Sequence, residues 1–151
     1  MRAVLVILVC ACTAAAELIK VPTDDAFEKE IMASSKCWAV LFVSAHRDVA
    51  EATKNVERLE SLVPGLSLAS ADVDDVKAVC SEFNVRKRMV PRLLVFNSRA
   101  RQASIVKVSD MSLDDLTAAV NAELTENTKD TEGNYEKLTL AIGGGGEKGE
   151  L

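Results

Sequence analysis

Residues that commonly carry chemistry are scarce in this chain. It has one histidine, His46, and four cysteines among its 151 residues. Two of the cysteines fall in the apolar N-terminal stretch, which leaves Cys37 and Cys80 for the rest of the chain. Two cysteines are too few for a disulfide framework and lack the paired spacing of a zinc site. We therefore expect a hydrophobic core to supply the stability, and we predict neither a metal site nor another cofactor.

Basic charge and long apolar runs are also limited. The chain has 18 Lys and Arg against 23 Asp and Glu, a net charge of −5, which argues against a nucleic-acid partner. Beyond the N-terminus there is no further run of apolar residues long enough to span a bilayer, so no membrane span is predicted there. The sequence has no Asn-x-Ser/Thr sequon, and no N-glycan is predicted.

The N-terminal residues 1–16 have the layout of a secretory signal peptide. A basic Arg2 precedes an apolar run at 3–12, and alanines at 14–16 offer a small-residue cleavage site. The alternative is a bacterial lipoprotein signal at Cys12, whose flanking residues fit that pattern poorly. Cleavage would leave 17 basic and 23 acidic residues, a net charge of −6. About 135 residues would remain, enough for one domain with a single core.

Residues 125–151 are mostly polar and include four consecutive glycines at 143–146, so we predict a flexible tail. The tail ends in a sequence that resembles the Lys-Asp-Glu-Leu retention address, with Gly149 in place of Asp: Lys148, Gly149, Glu150 and Leu151. Together with the signal peptide, this ending predicts residence in the lumen of the endoplasmic reticulum, where a retention receptor would read it. The alternative is a chance ending on a secreted protein.

Apolar periodicity over residues 17–124 predicts a domain of alternating strands and helices. Strands are predicted at 17–21, 39–44, 66–71, 93–96 and 103–108. Helices are predicted at 24–34, 47–63, 76–83 and 113–124. Thr23 and Ser112 are predicted to cap the first and last helices. Because strands and helices follow in the order βαβαβαββα, we expect an α/β domain with a mixed sheet of about five strands and helices on both faces.

Two segments of this domain carry a family resemblance. Thioredoxins and protein disulfide isomerases place Trp-Cys-x-x-Cys at a junction like the one where Trp38–Val43 leads into the second helix. Later in the chain, residues 80–96 resemble the isomerase stretch Tyr-Gly-Val-Arg-Gly-Tyr-Pro-Thr-Leu, whose proline is cis and faces the active site. The domain therefore resembles the thioredoxin fold and the protein disulfide isomerase family over 17–124. The resemblance implies a cis peptide between Val90 and Pro91.

The residues that perform the family's chemistry are missing from the matching positions. Aligned on the helix, the four motif positions are His46, Arg47, Asp48 and Val49, and aligned on Phe42 they fall one residue later. Neither alignment contains a cysteine. The family's buried carboxylate would fall on Val40 or Leu41. The resemblance therefore implies a redox-inactive member without disulfide isomerase or oxidoreductase activity.

The remaining candidates for chemistry have simpler interpretations. Cys37 lies about seven residues, or ~23 Å of extended chain, from the motif position. A buried, small apolar role is favoured for Cys37 and for Cys80. His46 lacks the partners of a catalytic histidine, so an exposed loop residue is favoured. Three aspartates lack EF-hand spacing and are interpreted as caps of the third helix: Asp72, Asp74 and Asp75.

The resemblance also implies a place for partner binding. In the family, the residue before the cis proline, here Val90, turns outward so that its backbone pairs with an extended client segment next to Pro91. This sequence departs from the family by placing cations beside that groove: Arg86, Lys87, Arg88 and Arg92. Four cations would favour acidic segments. The alternative is a solvated charged loop.

These patterns lead to one main hypothesis and two alternatives. The main hypothesis is a redox-inactive thioredoxin-like protein of the endoplasmic reticulum that binds unfolded clients or a folding factor through the cis-proline face. The second is a structural or scaffolding module. The third is a residual thiol enzyme that uses Cys37 or Cys80.

Overall fold

The computed structural model describes residues 18–139. The strands are β1 (Ile19–Lys20), β2 (Trp38–Val43), β3 (Ser67–Asp72), β4 (Arg92–Phe96) and β5 (Ser104–Lys107). The helices are α1 (Asp24–Phe27, continued by a π-helical turn at Glu28–Met32), α2 (Ala50–Leu62), α3 (Lys77–Glu82) and α4 (Leu113–Glu123). The predicted signal peptide at 1–16 and the retention ending at 148–151 lie outside the described residues. Within 18–139 no helix has the length and apolarity to cross a membrane.

The five strands form one mixed sheet in the order β1-β3-β2-β4-β5. β1, β3 and β2 run parallel, whereas β4 and β5 run antiparallel to their neighbours. β2 lies at the centre, which explains its continuous apolar sequence, since a central strand is covered on both faces. The predicted mixed sheet of about five strands is confirmed.

Each face of the sheet is covered by two helices, as predicted. On one face, α1 and α3 enclose an aromatic cluster in which the ring of Phe96 meets those of Phe27 at 5.4 Å and Phe83 at 5.2 Å. On the other face, α2 and α4 pack against Leu41, Leu93 and the other inward residues of β2 and β4. The alternation of side chains along each strand sends successive residues into these two cores.

The helix caps follow the sequence at two helices and depart from it at a third. Thr23 Oγ1 accepts a hydrogen bond from Ala26 N, and Ser112 Oγ accepts one from Asp115 N, each at 3.1 Å. The aspartates before α3 do not cap it with their side chains. The Asp72 carboxylate accepts from Asp74 N within the turn, while Asp24 of α1 accepts from Ala78 N at 3.4 Å and Val79 N at 2.9 Å. The prediction for Asp72, Asp74 and Asp75 is wrong because a neighbouring helix supplies the cap.

The prediction of a flexible tail from residue 125 is wrong for residues 125–139, which we call the C-terminal strap. Asn127 is buried, and its amide donates to the carbonyls of Asn97 and Glu136, each at 2.8 Å. Lys137 is 4% exposed, and its amine donates to the carbonyls of Ile31 and Met32. Single polar side chains thus fix a segment whose composition resembles that of a loop. Residues 140–151 lie outside the described part of the chain.

Two glycines allow the C-terminal strap to approach the turn after α2. Gly65 and Gly133 have φ angles of 93° and 86°, in the left-handed region that favours glycine. A Cβ atom on Gly65 would collide with the carbonyl oxygen of Gly133. Next to this contact, Tyr135 N donates to the Gly65 carbonyl at 2.9 Å, and Cys37 N donates to the Tyr135 carbonyl at 2.9 Å. The strap is therefore joined by backbone hydrogen bonds to the amino end of β2.

Candidate functional site

The structure brings the degenerate motif next to the proline loop. The motif positions follow the carboxyl end of β2, and the antiparallel pairing of β2 with β4 places Phe42 opposite Arg92. Arg47 Nη2 donates a hydrogen bond to the Arg88 carbonyl at 3.3 Å. The Val90–Pro91 peptide is cis, in agreement with the prediction. The two predicted regions are therefore neighbours at one end of the sheet.

The motif segment is built as a turn that leads into α2. His46, Arg47 and Asp48 are exposed, and Val49 is half-buried. His46 N donates to Ser44 Oγ at 3.3 Å, while the Asp48 carboxylate accepts from Ala50 N at 3.1 Å at the start of the helix. Asp48 therefore stabilises the turn before α2, at a motif position where the family has a reactive segment, while Val49 is the N-cap residue.

The surroundings of the motif supply no proton-transfer group at the family's carboxylate position. Val40 and Leu41, the two residues that align with it, are fully buried and apolar. The two thiols of the described chain lie in the cores. Burial raises the pKa of the Cys37 thiol to about 11, against an opposing effect of the nearby Lys137 charge. Burial, and secondarily the Asp24 charge, raises the pKa of Cys80 to about 11.

Val90 differs from the expected outward orientation. The residue is 3% exposed and packs into the core on the α1 and α3 face. Its N–H donates to the Lys87 carbonyl at 3.4 Å, within the single 3₁₀ turn Lys87–Met89. Burial of this aliphatic side chain is more favourable than its exposure to water, so the turn directs Val90 into the core. The residues of this loop that remain accessible are therefore 86–89, Pro91 and Arg92.

Two cavities lie on either side of Pro91 and share it as a wall, together with Ser109 and Asp110. The first has a volume of about 490 Å³ and is lined by Asp48, Glu51, Ala52, Asn55, Pro91, Val108, Ser109, Asp110, Met111 and Ser112. The second has a volume of about 460 Å³ and is lined by Arg88, Met89, Pro91, Arg92, Lys107, Ser109 and Asp110. The two cavities are adjacent through these three shared residues, and we refer to them together as the groove.

The two cavities carry opposite charge. Three carboxylates line the first, which we call the acidic cavity: Asp48, Glu51 and Asp110. The second, which we call the basic cavity, is lined by three cations, Arg88, Arg92 and Lys107, and by one carboxylate, the Asp110 that both cavities share. The predicted four-cation groove is therefore corrected. Arg86 and Lys87 line neither cavity, and Lys87 pairs instead with Asp74 at 2.8 Å.

Sequence reasoning missed Lys107, Glu51 and Asp110. Lys107 reaches the groove because β4 and β5 pair in a register that places it opposite Arg92. Asp110 follows β5 and has a φ of 62°, a conformation that Asp adopts more readily than most residues. The sequence did indicate that Lys107 points outward in the predicted hairpin. Only the register of β4 and β5, however, shows that it lies opposite Arg92 and lines the groove. Among residues 18–139 no group of three or more His, Cys, Asp or Glu side chains is arranged to hold a metal ion.

Comparison with known proteins supports the fold. The sequence matches no protein-family model and no curated protein sequence. Among solved structures, the thioredoxin of Malassezia sympodialis (Mala s 13) is similar with a TM-score of 0.59 and 16% identity, over 70% of this chain and 89% of that one. A designed protein is similar with a TM-score of 0.57 and 15% identity, over 70% of this chain and 91% of that one. The chain therefore has a thioredoxin-like fold.

Proposed function

We propose that this chain is a redox-inactive thioredoxin-like protein that binds extended polypeptide segments, either unfolded clients or a segment of a folding factor. The observation that carries the proposal is the charged groove across Pro91, at the end of the sheet where the motif positions hold no cysteine. A groove of this kind can hold an extended chain through backbone and side-chain contacts without a thiol.

The chemistry of the two remaining thiols supports binding over catalysis. Thiol exchange requires an accessible thiolate. Cys37 and Cys80 are buried, and their pKa values of about 11 keep them protonated at neutral pH. Cys37 also lies at the amino end of β2, opposite the groove. A residual thiol enzyme is therefore the least supported alternative.

The experiment obstructs the groove with a larger side chain at an exposed position and leaves the core residues unchanged. Ser109 is an exposed residue that lines both cavities, so Ser109→Tyr should obstruct each of them. The matched control is Ser81→Tyr, an exposed position on α3 outside both cavities. We expect Ser109→Tyr to weaken binding of a reduced, unfolded client about tenfold, as measured by fluorescence anisotropy, and Ser81→Tyr to leave it unchanged. Equal binding by both variants would favour the scaffolding alternative.

The proposal includes membership of the protein disulfide isomerase family and residence in the endoplasmic reticulum. The signal-like residues 1–16 and the ending at 148–151 support this location. Receptor-read addresses depend on the extreme C-terminus, so two residues appended after Leu151 should send the protein into the medium. Unchanged retention would indicate that a bound partner holds the protein in the compartment.

A further inference from the structure

The basic cavity is lined by three cations and one carboxylate, Asp110, and among residues 18–139 no acidic group lies within 4.0 Å of any of these cations. Arg92 and Lys107 are direct cross-strand partners in β4 and β5, and like charges in that position destabilise a sheet. Arg88 adds a third cation. Within residues 18–139, ion pairs closer than 4.0 Å involve only Lys87 with Asp74 and Arg101 with Glu28 and Glu82. A bound anion would relieve the repulsion between the cavity's cations.

The acidic cavity presents the opposite arrangement on the other side of Pro91. No lysine or arginine lines it, and the apolar residues Ala52, Val108 and Met111 line it together with the three carboxylates. A lysine or arginine side chain suits such a site, because its methylene stem can lie on apolar groups while its charged end reaches the carboxylates. The acidic cavity therefore favours a cation on a long side chain.

We propose that the segment bound across Pro91 carries one basic and one acidic side chain on the same face, two or four residues apart. The basic side chain would enter the acidic cavity, and the acidic side chain would enter the basic cavity. This inference rests on the proposed function and adds the charge pattern of the partner. In an extended chain residues i and i+2 point the same way and lie about 6.6 to 6.8 Å apart, which suits two cavities with a common wall.

The same charges disfavour segments of a single sign. A wholly acidic segment would bring a carboxylate to Asp48 and Glu51, and a wholly basic one would bring a cation to Arg92 and Lys107. Like charges brought together at an interface reject the wrong partner. Because the two cavities are adjacent, both signs are needed in one segment.

The first test compares peptides that differ only at two positions. Cysteine-free nine-residue peptides would carry Lys and Glu, two Glu, two Lys or two Gln at a separation of two or four residues, with the Lys–Glu pair in both orders. With the full chain, we expect one Lys–Glu order to bind about fivefold to tenfold more tightly than the Gln peptide. The difference should shrink as salt is raised from 20 mM to about 500 mM.

Removing the cations should abolish only the preference for Glu. In the double variant Arg92→Ser with Lys107→Ser, the Lys–Glu peptide should bind no better than a Lys–Gln peptide. The matched control removes two exposed cations outside both cavities, Arg58→Ser with Lys77→Ser, and should preserve the preference. This control carries the same change in net charge, so a general electrostatic effect would appear in both variants.

Removing the carboxylates should abolish only the preference for Lys. The double variant Asp48→Asn with Glu51→Gln keeps side-chain size and changes two carboxylates that line only the acidic cavity. Asn at position 48 can still accept the hydrogen bond from Ala50 N. The matched control is Glu57→Gln with Asp75→Asn, outside both cavities. The Lys–Glu peptide should bind this double variant no better than a Gln–Glu peptide does. The control variant should bind the Lys–Glu peptide with the full affinity.

The outcomes separate this inference from the proposed function. Tightest binding by the two-Glu peptide, or peptide binding that no charge affects, would overturn the proposed pattern while leaving a peptide-binding groove. Failure of every peptide, together with equal client binding by Ser109→Tyr and Ser81→Tyr, would overturn both. Loss of the charge preference in the control variants as well would also count against the cavities as its source.

Discussion

The cysteines of the described domain are placed where thiol chemistry is disfavoured. Cys37 is fully buried, and its sulfur accepts a hydrogen bond from the Asn127 amide at 3.3 Å. Cys80 faces the core from α3. With a pKa of about 11, only about one thiol in 10⁴ is ionised at pH 7. Each cysteine therefore acts as a small apolar residue.

We expect the folded protein to lack disulfide reductase turnover. In an insulin-reduction assay, the wild type and Cys37→Ser should both remain at the background rate, because neither thiol reaches solvent as a thiolate. Iodoacetamide should label Cys37 and Cys80 slowly in buffer and rapidly in denaturant. Reductase activity that disappears in Cys37→Ser would restore the thiol-enzyme alternative.

The Asp24 carboxylate links α1 to α3, and its removal should destabilise α3. The N-terminus of α3 has no side-chain cap of its own, and Asp24 accepts from the backbone of Ala78 and Val79. We expect Asp24→Ala to lower the free energy of unfolding by about 1 kcal/mol, measured by urea denaturation. Asp25→Ala, in the same turn of α1 but exposed, is the control and should cost much less.

The sequence predicted those secondary-structure elements whose buried residues form a continuous or periodic apolar pattern. β2 was predictable because all of its central residues are apolar, and α2 because Ala52, Val56 and Leu59 recur on one face. The C-terminal strap was not predictable. It is held by Asn127 and Lys137 satisfying buried carbonyls, and neither residue differs in sequence from one in a solvated loop. Long-range hydrogen bonds of this kind leave no periodic signal.

Gly65 and Gly133 offer a paired test of the strap. Both have positive φ, so alanine should cost about 1 to 2 kcal/mol at either site through the backbone. At Gly65 the new Cβ also collides with the Gly133 carbonyl, whereas at Gly133 it meets open space. Gly65→Ala should therefore lower the free energy of unfolding further and raise hydrogen exchange at 125–139. Similar losses for both variants would show that the strap does not depend on this contact.

At the scale of the whole molecule, buried titratable groups give opposing pH dependences. Burial lowers the pKa of Lys137 from 10.5 to about 8, although the Cys37 charge opposes the shift. Between those values the unfolded chain binds more protons, and stability rises with pH. The two thiols, raised from 9.0 to about 11, act in reverse, because the unfolded chain loses its protons first and stability falls with pH.

We expect stability to rise from pH 8 to 9 and to fall above pH 9, where two thiols outweigh one amine. Each group contributes a slope of at most about 1.4 kcal/mol per pH unit. In urea titrations at several pH values, Lys137→Met should remove the rise. Cys80→Ala should remove most of the fall, because one thiol would then oppose one amine. A Lys137→Met profile that still rises between pH 8 and 9 would contradict the assignment.

The fold could be predicted from the sequence more completely than the groove could. The order of strands and helices along the chain follows from apolar runs, and the mixed sheet follows from that order and from the resemblance, both of which depend on many residues at once. The groove depends on a few charged residues, and their grouping depends on strand register. Arg92 was found through its proximity to Pro91, but Lys107 lies fifteen positions further along and meets it only across the β4–β5 pair. Likewise, Lys87 was assigned to the groove although it turns toward Asp74.

The C-terminal strap and the groove lie at opposite ends of the sheet. The hydrogen bonds of the strap reach Ser35, Cys37, Asn97 and Arg99, at the end of the sheet opposite Pro91. β2 alone separates these two ends by about 20 Å, given its six residues. The last described residues, Leu138 and Thr139, therefore lie at the end of the domain far from the groove. A copy coupled to a sensor surface at this end, for example through a residue introduced at the exposed Thr139, would hold the groove toward solution and leave the proline open to an incoming chain.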